Sequence, residues 1–181
     1  MPGSVIQLQM NFGYPGSYSR MPDDIVIAKP VNKASGDIPF GNAVMLNDDN
    51  TVSLPGANLT ADNFMGIAVR EVKQGLTYGT AGVINEGGAY QKLSPCDVLA
   101  RGNTVIKLGP GKTGSSPKAG DKVLYRTTVD ASGAPQAKVG DFEAGTPESG
   151  KTIELSNVVF TTGELDANNV IEVSILTRNN N

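Results

Sequence analysis

The sequence predicts an all-β protein: a compact antiparallel barrel of the β-tulip kind, with a jelly roll as the alternative and an extended N-terminal arm. No stretch of about 11 residues keeps an apolar stripe at helical spacing. Short apolar runs recur along the chain instead, and turn-forming residues separate them. The 22 glycines and 11 prolines, with only 18% charged residues, favour many short strands joined by turns.

Strands are expected where β-branched and aromatic residues cluster between turn formers. Residues 46–51, "LNDDNT", predict a hairpin loop between "NAVML" and "TVSL". In "NVIEVSILT" the apolar residues alternate, so Glu172 is expected on the face opposite Ile171 and Val173. The predicted strands are 24–28, 42–46, 51–54, 64–72, 97–100, 104–108, 122–128, 158–162 and 170–176, and a weak strand is expected around 138–142.

The domain organisation follows from composition. The 181 residues suffice for one domain and an arm. We expect the arm at 1–22 and a single β-barrel domain at 23–181. The segment "DASGAPQAKVGDFEAGTPESGKT" is polar and rich in glycine and proline, which predicts an excursion from the barrel at about 130–152.

The arm carries aromatic residues on backbone that glycine and proline interrupt. Three of its rings are among only five Phe and five Tyr in the chain. Aromatic residues and arginine are enriched at the anchors of protein interfaces. Two interpretations stay open: the arm lies across its own barrel as an edge strand, or it reaches another subunit. The predicted interface residues are Met10, Phe12, Tyr14, Tyr18 and Arg20.

Charge and hydropathy exclude several classes of partner. The net charge of −3 and the pI of about 4.9 give no basic footprint, so we expect no nucleic-acid partner. No run of about 18 apolar residues exists, so we expect no membrane partner. The N-terminus lacks the pattern of a signal peptide, which predicts synthesis in a reducing cytoplasm. Cys96, the single cysteine, is expected to be a small buried hydrophobe.

Catalytic and cofactor chemistry is not expected either. The chain has no histidine, which removes the commonest general base and transition-metal ligand. With one cysteine, a structural zinc site has no ligand set. The stretch "GPGKTG" (109–114) matches only the end of a phosphate loop, because Ile106 stands where the first glycine should be. We therefore predict a protein that is not an enzyme and has no catalytic residue, metal or cofactor.

Five short motifs give the chain a resemblance to a known family. They are "NFGY" (11–14), "SR" (19–20), "FGNAV" (40–44), "GIAVREVKQ" (66–74) and "PCDVLARG" (95–102). In this order and spacing they resemble the structural cement, or head-decoration, proteins of tailed bacteriophages. The resemblance covers about residues 7–128, and its motifs are packing and turn signatures.

The resemblance implies a protein on the outer surface of an icosahedral head, made in the host bacterial cytoplasm. It would bind where major-capsid subunits meet and stabilise the expanded shell. Its partners would be the major capsid protein and further copies of itself, as a trimer or alternatively a dimer. Two other hypotheses are another virion structural role, such as head completion or tail, and a β-barrel ligand-binding module.

Overall fold

The computed structural model describes residues 12–70, 88–110, 116–130 and 136–177, with the side chains of Met21 and Pro22 left aside. Within these ranges the prediction of an all-β fold is confirmed: the one helical element is a 3-10 turn at Gly56–Asn58. Across the same ranges, no helix is long and apolar enough to cross a membrane. The strands are β1 (Tyr18–Pro30), β2 (Ile38–Pro39), β3 (Ala43–Leu46), β4 (Val52–Ser53), β5 (Phe64–Ala68), β6 (Ala89–Tyr90), β7 (Pro95–Lys107), β8 (Lys122–Arg126), β9 (Phe142–Glu143), β10 (Thr152–Phe160) and β11 (Val170–Ile175).

The strands form one large antiparallel sheet that curls into a half-barrel, and a small second sheet. The large sheet has the order β4-β3-β5-β7-β11-β10-β8-β9, and β1 joins it by pairing with β7. The second sheet contains β2 and β6. Strand β7 is the centre of the fold: β1 pairs along its residues 95–104, β5 pairs with residues 98–99, and β11 pairs with residues 102–107.

A glycine lets β1 approach β7 where the pairing becomes irregular. Gly102 has a φ of +127°, and a Cβ placed there would lie 2.0 Å from Asp24 Oδ1. The register of β1 against β7 shifts on both sides of Arg20 and again after Ile25. Any side chain at position 102 would therefore displace the Asp24 carboxylate and crowd the Asp24 Cα, 3.1 Å away, in a backbone conformation that favours glycine.

The apolar side chains form two clusters. The larger one fills the half-barrel with residues such as Phe64, Ile106 and Phe160. The smaller one, around Phe40 and Tyr90, lies where the second sheet meets the first. Cys96 is buried in the smaller cluster, as predicted, and burial raises the pKa of its thiol to about 12.

The observed strands differ from the predicted ones in places. The two predicted strands 97–100 and 104–108 are one continuous strand, β7, because Gly102 accommodates the irregularity that breaks the pattern. The two-residue strands β2 and β6 were not predicted, since two residues carry no periodicity, whereas β9 begins at the end of the weak strand expected around 138–142. The hairpin is confirmed: β3 pairs with β4, and Asn47 N donates to Thr51 O at 2.9 Å.

The described part of the expected excursion returns to the sheet. Asp130 and Ala137 form an antiparallel bridge, and β9 pairs with β8. Phe142 is buried in the larger cluster, and Glu143 is buried beside Arg126. The sequence pattern gave little sign of this because glycines and prolines dominate the composition, and the buried apolar residues among the described part of the stretch are Ala137, Phe142 and Ala144.

Candidate functional site

The segment that follows Phe12 is attached to the sheet at Gly16. Its amide donates to Val105 O at 2.8 Å, and its carbonyl accepts from Arg70 N at 2.7 Å. Gly16 is buried with a φ of +81°, and a Cβ there would lie 2.7 Å from Gly41 N. The position requires glycine, both for its backbone conformation and for space.

The close contact with Gly16 also explains why the "FGNAV" motif contains a glycine, Gly41. Gly41, in "FGNAV", has a φ of +78°, and a Cβ on it would lie 2.5 Å from Pro15 Cβ. Its amide donates to Ala68 O at 2.7 Å. Two of the sequence motifs therefore meet the N-terminal segment here, because Gly41 belongs to "FGNAV" and Arg70 to "GIAVREVKQ".

Tyr14 lies two residues before Gly16, and its side chain is largely exposed to solvent. The residue is 67% exposed, and the Arg70 guanidinium carbon lies over its ring, 5.1 Å from the centroid. The same carbon lies over the Phe40 ring, also at 5.1 Å. Phe40 in turn makes an edge-to-face contact with Tyr90, whose hydroxyl donates to Val69 O at 2.8 Å. We call Tyr14, Arg70, Phe40 and Tyr90 the Tyr14 column.

Tyr18 belongs to the fold of its own chain. It is the first residue of β1, pairs with Thr104 and packs against the larger apolar cluster. Burial, together with the charges of Asp97 and Asp24, raises the pKa of the Tyr18 hydroxyl above its ordinary value. The strand β1 therefore starts inside the region that the sequence assigned to the arm.

Arg20 forms a bidentate ion pair with Glu172 of β11. Its Nε lies 3.1 Å from Oε1 and its Nη2 lies 3.2 Å from Oε2. The Arg20 side chain is 67% exposed and the Glu172 side chain only 4%. Burial raises the pKa of the Glu172 carboxyl, but hydrogen bonds from Thr161 and Ser19 and the charge of Arg20 outweigh burial and hold the pKa below its ordinary value.

The predicted interface residues thus fall into two groups. Tyr18 and Arg20 contact their own domain, whereas Tyr14 presents its ring to solvent. Phe12 is partly buried at the start of the described chain, and Met10 lies outside the described residues. Alternation along β11 predicted a half-buried strand with Glu172 on its less buried face, but the Glu172 side chain is buried as well, in contact with Arg20 and Thr161.

Sequence reasoning did not assign the residues that hold Tyr14. Arg70 and Phe40 stand inside the "GIAVREVKQ" and "FGNAV" motifs, which were interpreted only as packing signatures. Their signal was an arginine near the end of the predicted strand 64–72 and an aromatic residue next to Gly41, and neither signal says which ring the two residues contact. Glu172 had a clearer signal, since it is the one charged residue of β11.

The described residues offer little for metal or acid–base chemistry. Among them, no group of three or more His, Cys, Asp or Glu side chains could hold a metal ion. An open cavity of about 730 Å³ lies beside Lys107, Gly109 and Lys138, and Asp141 is the one carboxylate among the described residues that line it. The described residues of the lining therefore do not supply the carboxylate pair of a glycosidase. Residues 111–115, most of the rejected phosphate loop, lie outside the described ranges.

Comparison with known proteins relates the chain to a protein family and to a solved structure. A family model described as "Structural cement protein (E217 gp24/Pam3 gp6)" matches residues 1–176. A chain in a solved structure titled "The capsid of Myoviridae Phage XM1" superposes with a TM-score of 0.67 at 18% sequence identity, over 97% of this chain and 96% of that chain. At this identity the likeness establishes a shared fold. No curated protein matches the sequence.

Proposed function

The chain belongs to the structural cement protein family, and on that premise we propose that it binds the outer surface of a phage capsid at junctions between major-capsid subunits and stabilises the expanded shell. The family predicted from the motifs is confirmed, and a structural role in the phage head follows from it. The single observation that carries the proposal is the family match over residues 1–176.

The proposed mechanism is preferential binding. A protein that binds the expanded lattice and not the unexpanded one stabilises the expanded state by mass action. Because a shell repeats the same junction many times, a modest free energy at each site adds up to a large stabilisation of the whole particle. The proposed function therefore involves no catalytic step and no cofactor.

We place the contact with the capsid on the N-terminal segment. The Tyr14 ring is exposed, and its backbone is attached to the sheet through Gly16. A large ring held on a fixed backbone loses little conformational freedom on binding, which favours affinity. In this proposal Met10, Phe12 and Tyr14 contact the neighbouring subunit.

The two remaining interface residues have a supporting part in the proposal. Tyr18 and Arg20 fix the start of β1 to the sheet and so set where the segment leaves the domain. The Arg20 side chain is mostly exposed even with its carboxylate partner, so it also contributes to the polar rim of the contact.

Self-association is the second part of the proposal. Closed symmetric oligomers suit the threefold and twofold positions of an icosahedral lattice. We propose a trimer on the shell, with a dimer as the alternative, and synthesis in the host cytoplasm before assembly onto the head.

The test is the copy number and location of the protein on purified heads. Cryo-electron microscopy with quantitative gel densitometry should find it on the outside, at capsid-subunit junctions, in a fixed ratio to the major capsid protein. Density at a single vertex or in the tail would overturn the proposal in favour of a head-completion or tail role. Isolated single copies on the shell would overturn the proposal that the protein forms a trimer or a dimer there.

A further inference from the structure

The Tyr14 column connects an exposed ring to the buried core through one charged side chain. Tyr14 is 67% exposed, whereas Phe40 and Tyr90 are buried. The Arg70 guanidinium lies over both the exposed ring and the buried Phe40 ring. Among the described contacts of the Tyr14 side chain, Arg70 is therefore the one that leads to the core.

Arg70 is itself held at its backbone. Its amide donates to Gly16 O at 2.7 Å, two residues after Tyr14. The preceding carbonyl, Val69 O, accepts from the Tyr90 hydroxyl at 2.8 Å. The backbone of Arg70 is thus tied both to the N-terminal segment and to the far end of the column, so its side chain starts from a fixed point.

We infer that Arg70 is the positioning residue that holds the Tyr14 ring in the orientation in which it meets the capsid. This inference rests on the proposed function, in which Tyr14 is a contact residue. An exposed tyrosine without such a partner exchanges among staggered rotamers and must be ordered when it binds. A planar guanidinium over the ring face removes that freedom beforehand, and arginine does this better than lysine because its charge is delocalised over a plane.

The competing explanation is that Arg70 contacts the capsid directly. The two differ in how substitutions combine. If Arg70 acts through the Tyr14 ring, its removal should cost nothing further once the ring is gone. If Arg70 has its own contact, the two losses should add, as they do for independent sites.

The experiment is a double-mutant cycle on purified heads that lack the protein. Binding of wild type, Arg70→Gln, Tyr14→Ala and the double variant is titrated, and melting of each free protein is recorded. We expect Arg70→Gln to weaken binding about 3- to 20-fold and to have no further effect in the Tyr14→Ala background. Arg70→Lys should weaken binding nearly as much as Arg70→Gln. Arg101→Gln, which removes an exposed arginine paired with Asp23, is the matched control and should bind like wild type.

A spectroscopic measurement covers the case in which an Arg70 variant does not fold. In the wild-type protein the Arg70 side-chain protons should show upfield ring-current shifts, and Tyr14→Ala should reduce them. Shifts that Tyr14→Ala leaves unchanged would overturn the inference.

The outcomes separate the inference from the proposed function. Weakened binding by Tyr14→Ala with wild-type binding by Arg70→Gln overturns the inference alone. Additive losses overturn it in favour of a direct capsid contact. Wild-type binding by Tyr14→Ala excludes the Tyr14 contact itself, and the inference falls with it.

Discussion

Arg20 at the start of β1 donates two hydrogen bonds to the buried carboxylate of Glu172 in β11, although 152 positions separate them in the chain. A buried carboxylate is costly unless charged or hydrogen-bonding partners satisfy it. Here Thr161 also donates to Oε2, at 2.5 Å. The pair therefore joins the N-terminal region to the last strand of the half-barrel, and part of the predicted arm contributes to the stability of the domain.

Removing Arg20 should destabilise the free protein. Arg20→Ala leaves the Glu172 carboxylate buried with fewer donors, which should cost about 1–2 kcal/mol and lower the melting temperature by about 2–6 °C. Arg20→Lys should recover only part of this, because lysine cannot make the bidentate contact. Arg101→Ala is the control: its pair with Asp23 is exposed on both sides and is worth about 0–1 kcal/mol. Equal melting of wild type and Arg20→Ala would contradict the prediction.

The same carboxylate predicts a pH dependence. Since the pKa of Glu172 is lower in the folded protein than its ordinary value of 4.5, the folded state favours the charged form. Its contribution to the free energy of unfolding is present above the unfolded pKa and is lost as pH falls through the folded pKa. Wild type should therefore exceed Glu172→Gln in melting temperature at neutral pH, and the gap should narrow below about pH 4. A gap that stays constant on acidification would show that the charge of Glu172 does not matter.

The attachment at Gly16 predicts a difference between two glycine substitutions. Gly16 and Gly120 have similar φ angles, +81° and +87°, but a Cβ on Gly16 meets backbone at 2.7 Å while Gly120 has nothing within 4 Å. Gly120→Ala should cost only the strain of the left-handed conformation, about 1 kcal/mol. Gly16→Ala should cost clearly more, about 2–4 kcal/mol in total, because the segment must move off the sheet. Chemical denaturation of both variants measures the difference, and similar losses would refute the close packing.

How far the fold could be predicted depends on the range of the interactions. The runs with β-branched residues between turn formers, such as 43–46 and 122–126, correspond to observed strands because their pattern is local. The β6 strand was not predicted, since its two residues join a sheet only through their pairing with β2. The contact of Arg20 with Glu172 was equally hidden, because no pattern in the chain links residues so far apart.

The sequence could predict only part of the candidate site, because residue types do not tell an interface side chain from one that packs on its own domain. Aromatic residues and arginine are enriched at interfaces, but the same residue types also pack onto a protein's own sheet. The sequence therefore left two interpretations for Tyr14 and Tyr18 alike. The three-dimensional contacts distinguish the two tyrosines: Tyr18 packs against the core, whereas Tyr14 is largely exposed and its ring faces the Arg70 guanidinium.

The stretch at 130–152 should prove important for stability, because it carries a buried charge. Glu143 accepts from Arg126 Nε and, at 2.9 Å, from Nη2, and both side chains are almost fully buried. Glu143→Gln removes the closest carboxylate from the buried guanidinium and leaves it with Glu148, whose Oε2 lies 3.6 Å from Nη2, so the loss should be about 2–4 kcal/mol. Glu154→Gln, at an exposed position of β10, is the control and should melt like wild type. A small effect of Glu143→Gln would support a stretch that is peripheral to the domain, as its composition suggested.

The proposed capsid contact predicts that Tyr14 and Tyr18 respond in opposite ways to truncation. Tyr14→Ala removes an exposed ring, so the melting temperature of the free protein should stay close to that of wild type, while binding to heads should weaken by about 1–4 kcal/mol. Phe12→Ala should likewise weaken binding. Tyr18→Ala removes a ring that packs on the core and should lower the melting temperature by several degrees.

Leu93→Ala provides the control for the Tyr14 substitution, because Leu93 is 73% exposed and lies on a different turn of the fold. It should change neither melting nor retention. The comparison is made on decorated heads under heat or chelator stress, with the released protein quantified against the major capsid protein. Lost retention of Tyr14→Ala with unchanged melting identifies the ring as a contact with the shell. If Tyr14→Ala is retained on heads like wild type, the Tyr14 ring does not contact the capsid. The described part of the N-terminal segment would then act only within its own domain.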